Sequence, residues 1–357
     1  MKPSVRLILL WLGVTLPLLG ITSFLGRMTE GDRVWGFAPL FPGYRQLWCH
    51  DINRPKGKEK LIVVLGSSTM AGWGCDQRGA YMDFRHRHDI WGRAALSFHI
   101  EKYFSRQGQR VRVANLGINY GAIWADLAVL LKVMKQQPDL ILHGPTTGSF
   151  WGTELKIFPE IGREIPLRLA AFDYPDKEAL EKPLMETLAA RYREVRESPA
   201  LPRTAPKGWV LWLGNAMTSA CRAIGLPPLV SKPGDYARQE SSMREAFAAP
   251  LAAYAKPCLI NATNTLAAIP VVMHRVAKSQ GAAYVLVSPP TLYQADQRFY
   301  RESLLPQYQR QGVPVIDLCD MDLPYGVDSY DGLHFTPSGA AKMAEVLCRR
   351  IAPLLMQ

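Results

Sequence analysis

Short apolar runs and longer amphipathic stretches alternate along most of this chain. Five apolar runs of strand length, most of them ended by Gly or Pro, predict buried strands at residues 60–66, 111–117, 138–144, 282–290 and 313–318. Segments with helical apolar spacing lie between them. Because strands that alternate with helices pair in parallel through crossover connections, the pattern predicts an α/β fold with a parallel, doubly wound sheet.

The intervening segments predict helices at 90–108, 122–137, 260–281 and 294–312. The second of these segments has the spacing of an amphipathic helix. The third contains Pro270, which predicts a kink because proline lacks a backbone N–H donor. A last helix is expected to start after "TPSG" and to run to about Pro353.

Residues 148–256 interrupt the alternation. They hold many charges and prolines, with helical stretches such as "DKEALEKPLMETLAARYREVRE". The part from Trp209 to Cys221 is apolar and uncharged, which fits either an interfacial helix at a membrane or a buried helix. We therefore expect one α/β domain over residues 58–357, with a mostly helical insertion at about 148–256.

The N-terminus contains a twenty-residue apolar stretch without charge, residues 7–26, which follows two basic residues. A helix of this length rises about 30 Å, one hydrocarbon thickness of a bilayer. A cleaved signal peptide is the alternative, but the residues at the cleavage positions suit it poorly. We expect an uncleaved transmembrane anchor in the cell membrane, with residues 1–6 in the cytoplasm and 27–57 as a juxtamembrane segment. The main domain would then be extracytoplasmic, on the periplasmic or extracellular side.

The chain has 357 residues, enough apolar content for a packed core at 48%, and a formal net charge of +11. Lys and Arg are scattered, with no run of five or more, so we expect no nucleic-acid partner. A basic surface of this kind suits an anionic polymer or a lipid headgroup. The six cysteines form no CxxC pair, which gives no support to a zinc ribbon or a thioredoxin-like site. Disulfides and buried free thiols both remain open.

Candidate chemistry follows the predicted strands, since ligands of doubly wound sheets bind at the carboxyl ends of strands. The first strand ends at Gly66, and Ser68 follows it at the start of a predicted helix. A serine hydroxyl is a poor nucleophile unless a base accepts its proton and a third group orients that base. His334 and Asp331 lie three residues apart, just before the last helix, and are the residue types that this chemistry needs.

These motifs resemble those of the SGNH/GDSL hydrolase family. "VVLGSST" resembles the nucleophile block, with a serine in place of the family's Asp, while "VANLGINYGA" and "DGLHFTPSG" resemble the second and last blocks. The resemblance implies a three-layer α/β/α sandwich with a mostly parallel, flavodoxin-like sheet. It also implies a catalytic triad of Ser68, His334 and Asp331, and an oxyanion hole formed by the backbone amides of Ser68 and Gly117.

The third block departs from the family pattern. After "PDLILHG", Thr146 stands where the family has an Asn whose amide donates to the oxyanion. Losing one such donor lowers the rate by about 10²–10³-fold in known cases. We expect the donor role of the Asn to be taken by Thr146, by the adjacent Thr147 or by a group from the insertion. If none of them donates to the oxyanion, activity is reduced.

Other polar residues have simpler interpretations. The motif "DFRHRHD" at residues 83–89 is a conceivable metal cluster, but it could equally line a pocket or coat the surface, and we expect no metal or other cofactor. His143, at the end of the third strand, is interpreted as a satisfied core histidine rather than a pocket residue. Asp126 is expected to cap or decorate the second helix.

Together these features predict a membrane-anchored serine esterase. Its substrates would be acyl or acetyl esters of an envelope or exported polysaccharide, or lipid esters. An O-acyltransferase that passes the acyl group to a glycan is an alternative, because the triad would be the same. A third hypothesis is a catalytically weak glycan-binding or scaffold protein, with a membrane acyltransferase as a possible partner.

Overall fold

A computed structural model describes residues 54–71, 96–117, 123–150, 161–197, 265–291, 297–324, 327–329 and 334–356. The predicted anchor at 7–26, the motif at 83–89 and the apolar segment at 209–221 lie outside these residues. Among the helices within the described ranges, none combines the length and the hydropathy needed to cross a bilayer.

The described residues form one five-stranded parallel sheet. Its strands are β1 Lys60–Gly66, β2 Val111–Asn115, β3 Leu140–Gly144, β4 Ala283–Ser288 and β5 Val315–Asp317. Their order across the sheet is β2-β1-β3-β4-β5, which is the flavodoxin-like doubly wound order. The strands are apolar on both faces because helices cover both faces. The predicted α/β fold with a parallel sheet is confirmed.

Eight α-helices lie in the described residues: α1 Ser68–Ala71, α2 Leu96–Arg106, α3 Ile123–Val133, α4 Ile161–Leu169, α5 Lys177–Glu197, α6 Ile269–Ser279, α7 Leu305–Arg310 and α8 Pro337–Leu355. Short 3-10 helices occur at Met134–Gln136, Thr147–Phe150 and Thr265–Ala268, and a π-helical turn at Phe299–Leu304.

Two hydrophobic clusters, one on each face of the sheet, make the fold three-layered. On one face, side chains from α1, α2 and α8 pack on alternate strand residues such as Ile62 and Leu142; this is cluster A. On the other face, α3, α4, α5, α6 and α7 pack on the intervening residues, such as Val63 and Ile141; this is cluster B. Alternation along each strand sends successive side chains to opposite clusters.

Two helix predictions need correction, both at prolines. Helix α8 begins at Pro337, within the TPSG motif, and continues through Pro353 to Leu355. Its start fits the preference of proline for the first helical turn, where the missing N–H has no helical partner. Pro270 does not kink a longer helix, since it lies in the first turn of α6, after the 3-10 helix that precedes it.

Helix α3 differs from the amphipathic helix that was predicted, because all eleven of its residues are buried. It packs against the sheet, α4 and α6. Helix α4, together with α5, belongs to the segment predicted as an insertion, so part of that segment covers what would otherwise be the outer face of α3.

The described cysteines, Cys319 and Cys348, are free and buried. Burial raises the pKa of each thiol to about 12, so both remain protonated and unreactive near neutral pH.

Candidate active site

Three of the predicted site residues follow three adjacent strands. The register places Val64 beside Asn115 and Gly66 beside Gly144. Beyond those pairs, the Leu116 amide donates to the Val64 carbonyl at 2.8 Å, so β1 and β2 remain joined at their carboxyl ends. Ser68, Gly117 and Thr146 each follow one of these strands by two residues, and their backbones therefore lie at the same edge of the sheet.

The boundary between β1 and β3 is the point where the chain changes direction across the sheet. From β1 the chain enters α1, whose Met70 packs in cluster A. From β3 it enters the 3-10 helix, whose Phe150 packs in cluster B. Segments that leave neighbouring strands toward opposite faces open a crevice between them, and doubly wound folds bind their ligands there. Ser68 follows β1 and Thr146 follows β3, the two strands that flank this boundary.

Gly66 allows the close approach of the two strand ends. Its φ of +122° belongs to a region that side chains other than glycine rarely adopt. A Cβ at this position would stand 2.2 Å from the Gly144 carbonyl oxygen. The Ser67 amide donates to that same oxygen at 3.3 Å. A glycine two residues before Ser68 is thus required by the backbone geometry.

Thr146 makes its side-chain and amide contacts with Ser149, a residue that the sequence reasoning missed. The Thr146 amide donates to Ser149 Oγ at 3.2 Å, and the two hydroxyl oxygens lie 3.4 Å apart. The Ser149 amide donates in turn to the Thr146 carbonyl at 3.0 Å. A Thr-x-x-Ser spacing at a helix start resembles a capping box, and that signal was available in the sequence.

The turn that carries Thr146 is held from cluster B at both ends. Tyr300, in the π-helical turn, donates its hydroxyl to the Pro145 carbonyl at 2.6 Å. At the other end, the rings of Phe150 and Phe299 lie 6.0 Å apart between centroids. These contacts fix the residues on either side of the Thr146–Ser149 pair.

His334 lies in a loop that is closed immediately before α8. Ser329 and Phe335 form an antiparallel bridge, and Ser329 Oγ donates to the His334 carbonyl at 3.1 Å. The His334 side chain is half-buried. Asp331 belongs to the part of this loop outside the described residues, so the predicted triad stays a prediction.

The N-terminus of α8 anchors this loop. Thr336 is the N-cap: its Oγ1 accepts from the Gly339 amide at 3.1 Å and donates to the Val327 carbonyl at 2.9 Å. Gly339 lies so close to the preceding segment that a Cβ there would be 2.0 Å from the Asp328 carbonyl oxygen. The fully buried Asp328 carboxylate pairs with Lys342. Asp328, Ser329 and Lys342 hold the segment next to His334, and the sequence reasoning did not identify them.

One core cluster links the two ends of the predicted site. Phe335, next to His334, and Met70, two residues after Ser68, both pack in cluster A. The loop before α8 and the helix after β1 therefore rest on the same side of the sheet.

His143 is a core histidine, as predicted. It is fully buried, with Nε2 3.0 Å from Asp126 Oδ2 and Nδ1 2.6 Å from the Tyr284 hydroxyl. Burial first, and then nearby Tyr308 and Asp126, raise the pKa of Tyr284 well above its usual value, so it remains a phenol. The phenol can donate to Nδ1 while Nε2–H donates to the carboxylate, which satisfies both ring nitrogens.

The interpretation of Asp126 as a cap or surface residue is wrong. Its side chain is fully buried and bonds to His143 across the interface between α3 and β3. The physical reason is the burial of α3 on all sides, which leaves a polar residue of that helix no solvent to face.

Within the described ranges, no group of three or more His, Cys, Asp or Glu side chains is arranged so that it could hold a metal ion. The motif at 83–89 lies outside those ranges.

Comparison with known proteins gives little. No family model and no curated protein matches the chain. One similar solved structure is a Bacteroides fragilis protein assigned as an acylhydrolase, at 12% identity over 85% of this chain and 92% of that one, with a TM-score of 0.36. Another is LAE5, an alpha/beta hydrolase from the metagenome of Lake Arreo, Spain, at 14% identity over 83% and 96%, with a TM-score of 0.35. At TM-scores this low, neither similarity bears on the family or activity of this chain.

Proposed function

We propose that this protein is a serine hydrolase of the SGNH/GDSL type that acts on ester bonds. In this proposal Ser68 is the nucleophile, His334 the general base and Asp331 the group that orients the imidazole. The observation that carries it is the position of Ser68 after strand β1, which lies between β2 and β3, with Gly117 and Thr146 following those two strands. That arrangement suits an oxyanion hole built around a nucleophile at the crevice of a doubly wound sheet.

The reaction follows from these roles. Ser68 Oγ attacks the ester carbonyl carbon, and its proton passes to the His334 imidazole. The carbonyl oxygen becomes an oxyanion that accepts hydrogen bonds from the Ser68 and Gly117 amides and from Thr146. The ester C–O bond then breaks, and the leaving alcohol takes the proton from His334. Water attacks the acyl-enzyme in the same way, which releases the carboxylic acid and returns the proton to Ser68.

The substrate class is inferred from location and charge. An N-terminal anchor at residues 7–26 would keep the domain at the outer surface of the cell membrane, and a net charge of +11 would attract anionic polymers or headgroups. Acyl or acetyl esters of an envelope or exported polysaccharide, or of a lipid, meet both conditions. A glycan acceptor in place of water would make the same site an acyltransferase, and a membrane acyltransferase could then act as a partner.

A catalytically weak glycan-binding or scaffold protein is the second candidate. The observation that favours it is Thr146, which replaces the Asn expected from the family resemblance. A shorter side chain must donate from a different position, and a poorly aligned donor stabilises the oxyanion less.

A fluorophosphonate probe on the purified full-length protein tests the proposal. Wild type should be labelled, Ser68→Ala should not, and Ser67→Ala should be labelled like wild type. Ser67 is a matched control because it is adjacent, and its buried hydroxyl has no hydrogen-bond partner among the described residues. Wild-type protein that neither reacts with the probe nor cleaves an aryl acetate would favour the scaffold. With an added oligosaccharide, hydrolysis releases the free acid, whereas transfer yields the acylated oligosaccharide.

A further inference from the structure

We infer that Ser149 is a positioning residue that directs the hydroxyl proton of Thr146 toward the oxyanion, an inference that rests on the proposed esterase function. Thr146 carries two possible donors, its backbone amide and its hydroxyl. The amide is already engaged, because it donates to Ser149 Oγ at 3.2 Å. The hydroxyl is therefore the group of Thr146 that remains available to an oxyanion.

The direction of the Thr146 proton follows from the bonds that Ser149 makes. Ser149 is 1% exposed, so its hydroxyl proton needs an acceptor within the protein. Ser149 Oγ already accepts the Thr146 amide, and its other contact among the described residues is Thr146 Oγ1 at 3.4 Å. Ser149 thus donates to Thr146 Oγ1. Thr146 Oγ1 accepts this bond, and its own proton points away from Ser149.

The partial exposure of Thr146 leaves its hydroxyl proton free to point out of the protein core. Thr146 is half-buried and follows β3 beside the end of β1, whereas Ser149 is enclosed. Tyr300 and Phe299 hold the ends of the turn, which limits its freedom to rearrange. The 3.4 Å separation is long for an O–H···O bond, and hydrogen bonds of this kind commonly shorten when substrate binds.

Steady-state kinetics on an aryl acetate, with the full-length protein, test this role. Thr146→Val removes the donor with little change in shape and is expected to lower kcat about 10²–10³-fold at nearly constant KM. Ser149→Ala leaves the donor but removes its orientation, and is expected to lower kcat on the order of tenfold, again at constant KM. Loss of a donor used in the transition state lowers kcat and kcat/KM together.

A double-mutant cycle separates positioning from a general structural role. If Ser149 acts through Thr146, Ser149→Ala should cause no further loss of kcat in the Thr146→Val background, although its effect on the unfolding midpoint should persist in both backgrounds. Equal kcat losses in both backgrounds, or a rise in KM without a change in kcat, would overturn the inference. If Ser149→Ala fails to fold, Thr146→Val and Thr146→Ser still test the inference. An unchanged kcat in Thr146→Val overturns it. A kcat close to wild type in Thr146→Ser, together with a low kcat in Thr146→Val, supports it.

The two levels of the proposal fail differently. Wild-type protein without Ser68-dependent labelling or esterase activity would overturn the proposed function, and this inference with it. Ser68-dependent activity that is insensitive to Ser149→Ala would overturn the inference alone.

Discussion

Replacing Gly339 by alanine should destabilise this protein, although helix propensity alone predicts the reverse. Within a helix, Ala is favoured over Gly by up to about 1 kcal/mol. At this position, however, a Cβ would lie 2.0 Å from the Asp328 carbonyl oxygen and 2.9 Å from its carbon, and both atoms are backbone. The start of α8 and the preceding segment would have to separate by about 1.4 Å before the Cβ and the carbonyl oxygen reached ordinary van der Waals contact.

The energetic cost follows from two contacts. Overpacking against backbone costs about 1–3 kcal/mol. The same displacement strains the N-cap, where the Gly339 amide donates to Thr336 Oγ1 at 3.1 Å, and loss of a cap costs about 1 kcal/mol. After the helix-propensity gain of up to about 1 kcal/mol is subtracted, we expect a net loss of about 1–4 kcal/mol in the free energy of unfolding. Urea denaturation should report it as a lower midpoint at an unchanged m-value.

The same variant reports on the proposed site. The loop that contains His334 is anchored on this helix start, and a misplacement of about 1 Å can lower a catalysed rate about 100-fold. The rate of fluorophosphonate labelling at Ser68 should therefore fall under conditions where the variant is fully folded.

Ser338→Ala is the matched control, because Ser338 is the preceding residue in the same helical turn and its side chain is exposed. Its effect on stability should stay within about 0.5 kcal/mol of wild type. A Gly339→Ala protein that is as stable as Ser338→Ala would refute the close approach of α8 to Asp328, and with it the anchoring of the loop.

Three further variants test other buried groups. Burial, with two neighbouring cations, lowers the pKa of His274 from 6.5 to about 4, so between these values the unfolded chain binds more protons. Stability should therefore fall by at most about 3 kcal/mol as the pH drops from 6.5 to 4, and His274→Gln should reduce that fall in urea titrations across this range. Asp126→Leu leaves the buried His143 ring without its carboxylate partner and should lower the free energy of unfolding by about 2–4 kcal/mol, measured by thermal or urea unfolding. Lys342→Met leaves the buried Asp328 carboxylate without its cation and should cost about 1–3 kcal/mol in the same assays.

Each of these three predictions has a control or a contradicting outcome. If the stability of His274→Gln fell with pH in parallel with that of wild type, the prediction for His274 would be wrong. For the second, adding His143→Phe to Asp126→Leu should cost less than the sum of the single changes, and strict additivity would argue against the pair. For the third, Arg349→Met removes one member of an exposed ion pair with Glu345 and should change the free energy of unfolding little. If Lys342→Met lowered that free energy no more than Arg349→Met does, the result would contradict the burial of the Asp328 carboxylate.

The sequence predicted the strands well because their signal is local. A run such as "KLIVVLG" is too apolar to face solvent on either side, and its glycine ends the strand, so β1 could be located without its partners. The "TPSG" motif likewise located the start of the last helix to within one turn, since its cap, proline and glycine act through neighbouring residues. The candidate chemistry could be assigned to strand ends for the same reason.

The tertiary structure decided what depends on residues far apart in the chain. Only the order of the strands places Gly117 and Thr146 on either side of Ser68, and only the helices that cover α3 turn Asp126 from an expected surface residue into the buried partner of His143. Periodicity describes how a segment meets one apolar surface, and it carries no information on which second element will cover the other side. Hydrogen bonds between buried side chains arise from that second contact, so they become visible only when the chain is folded.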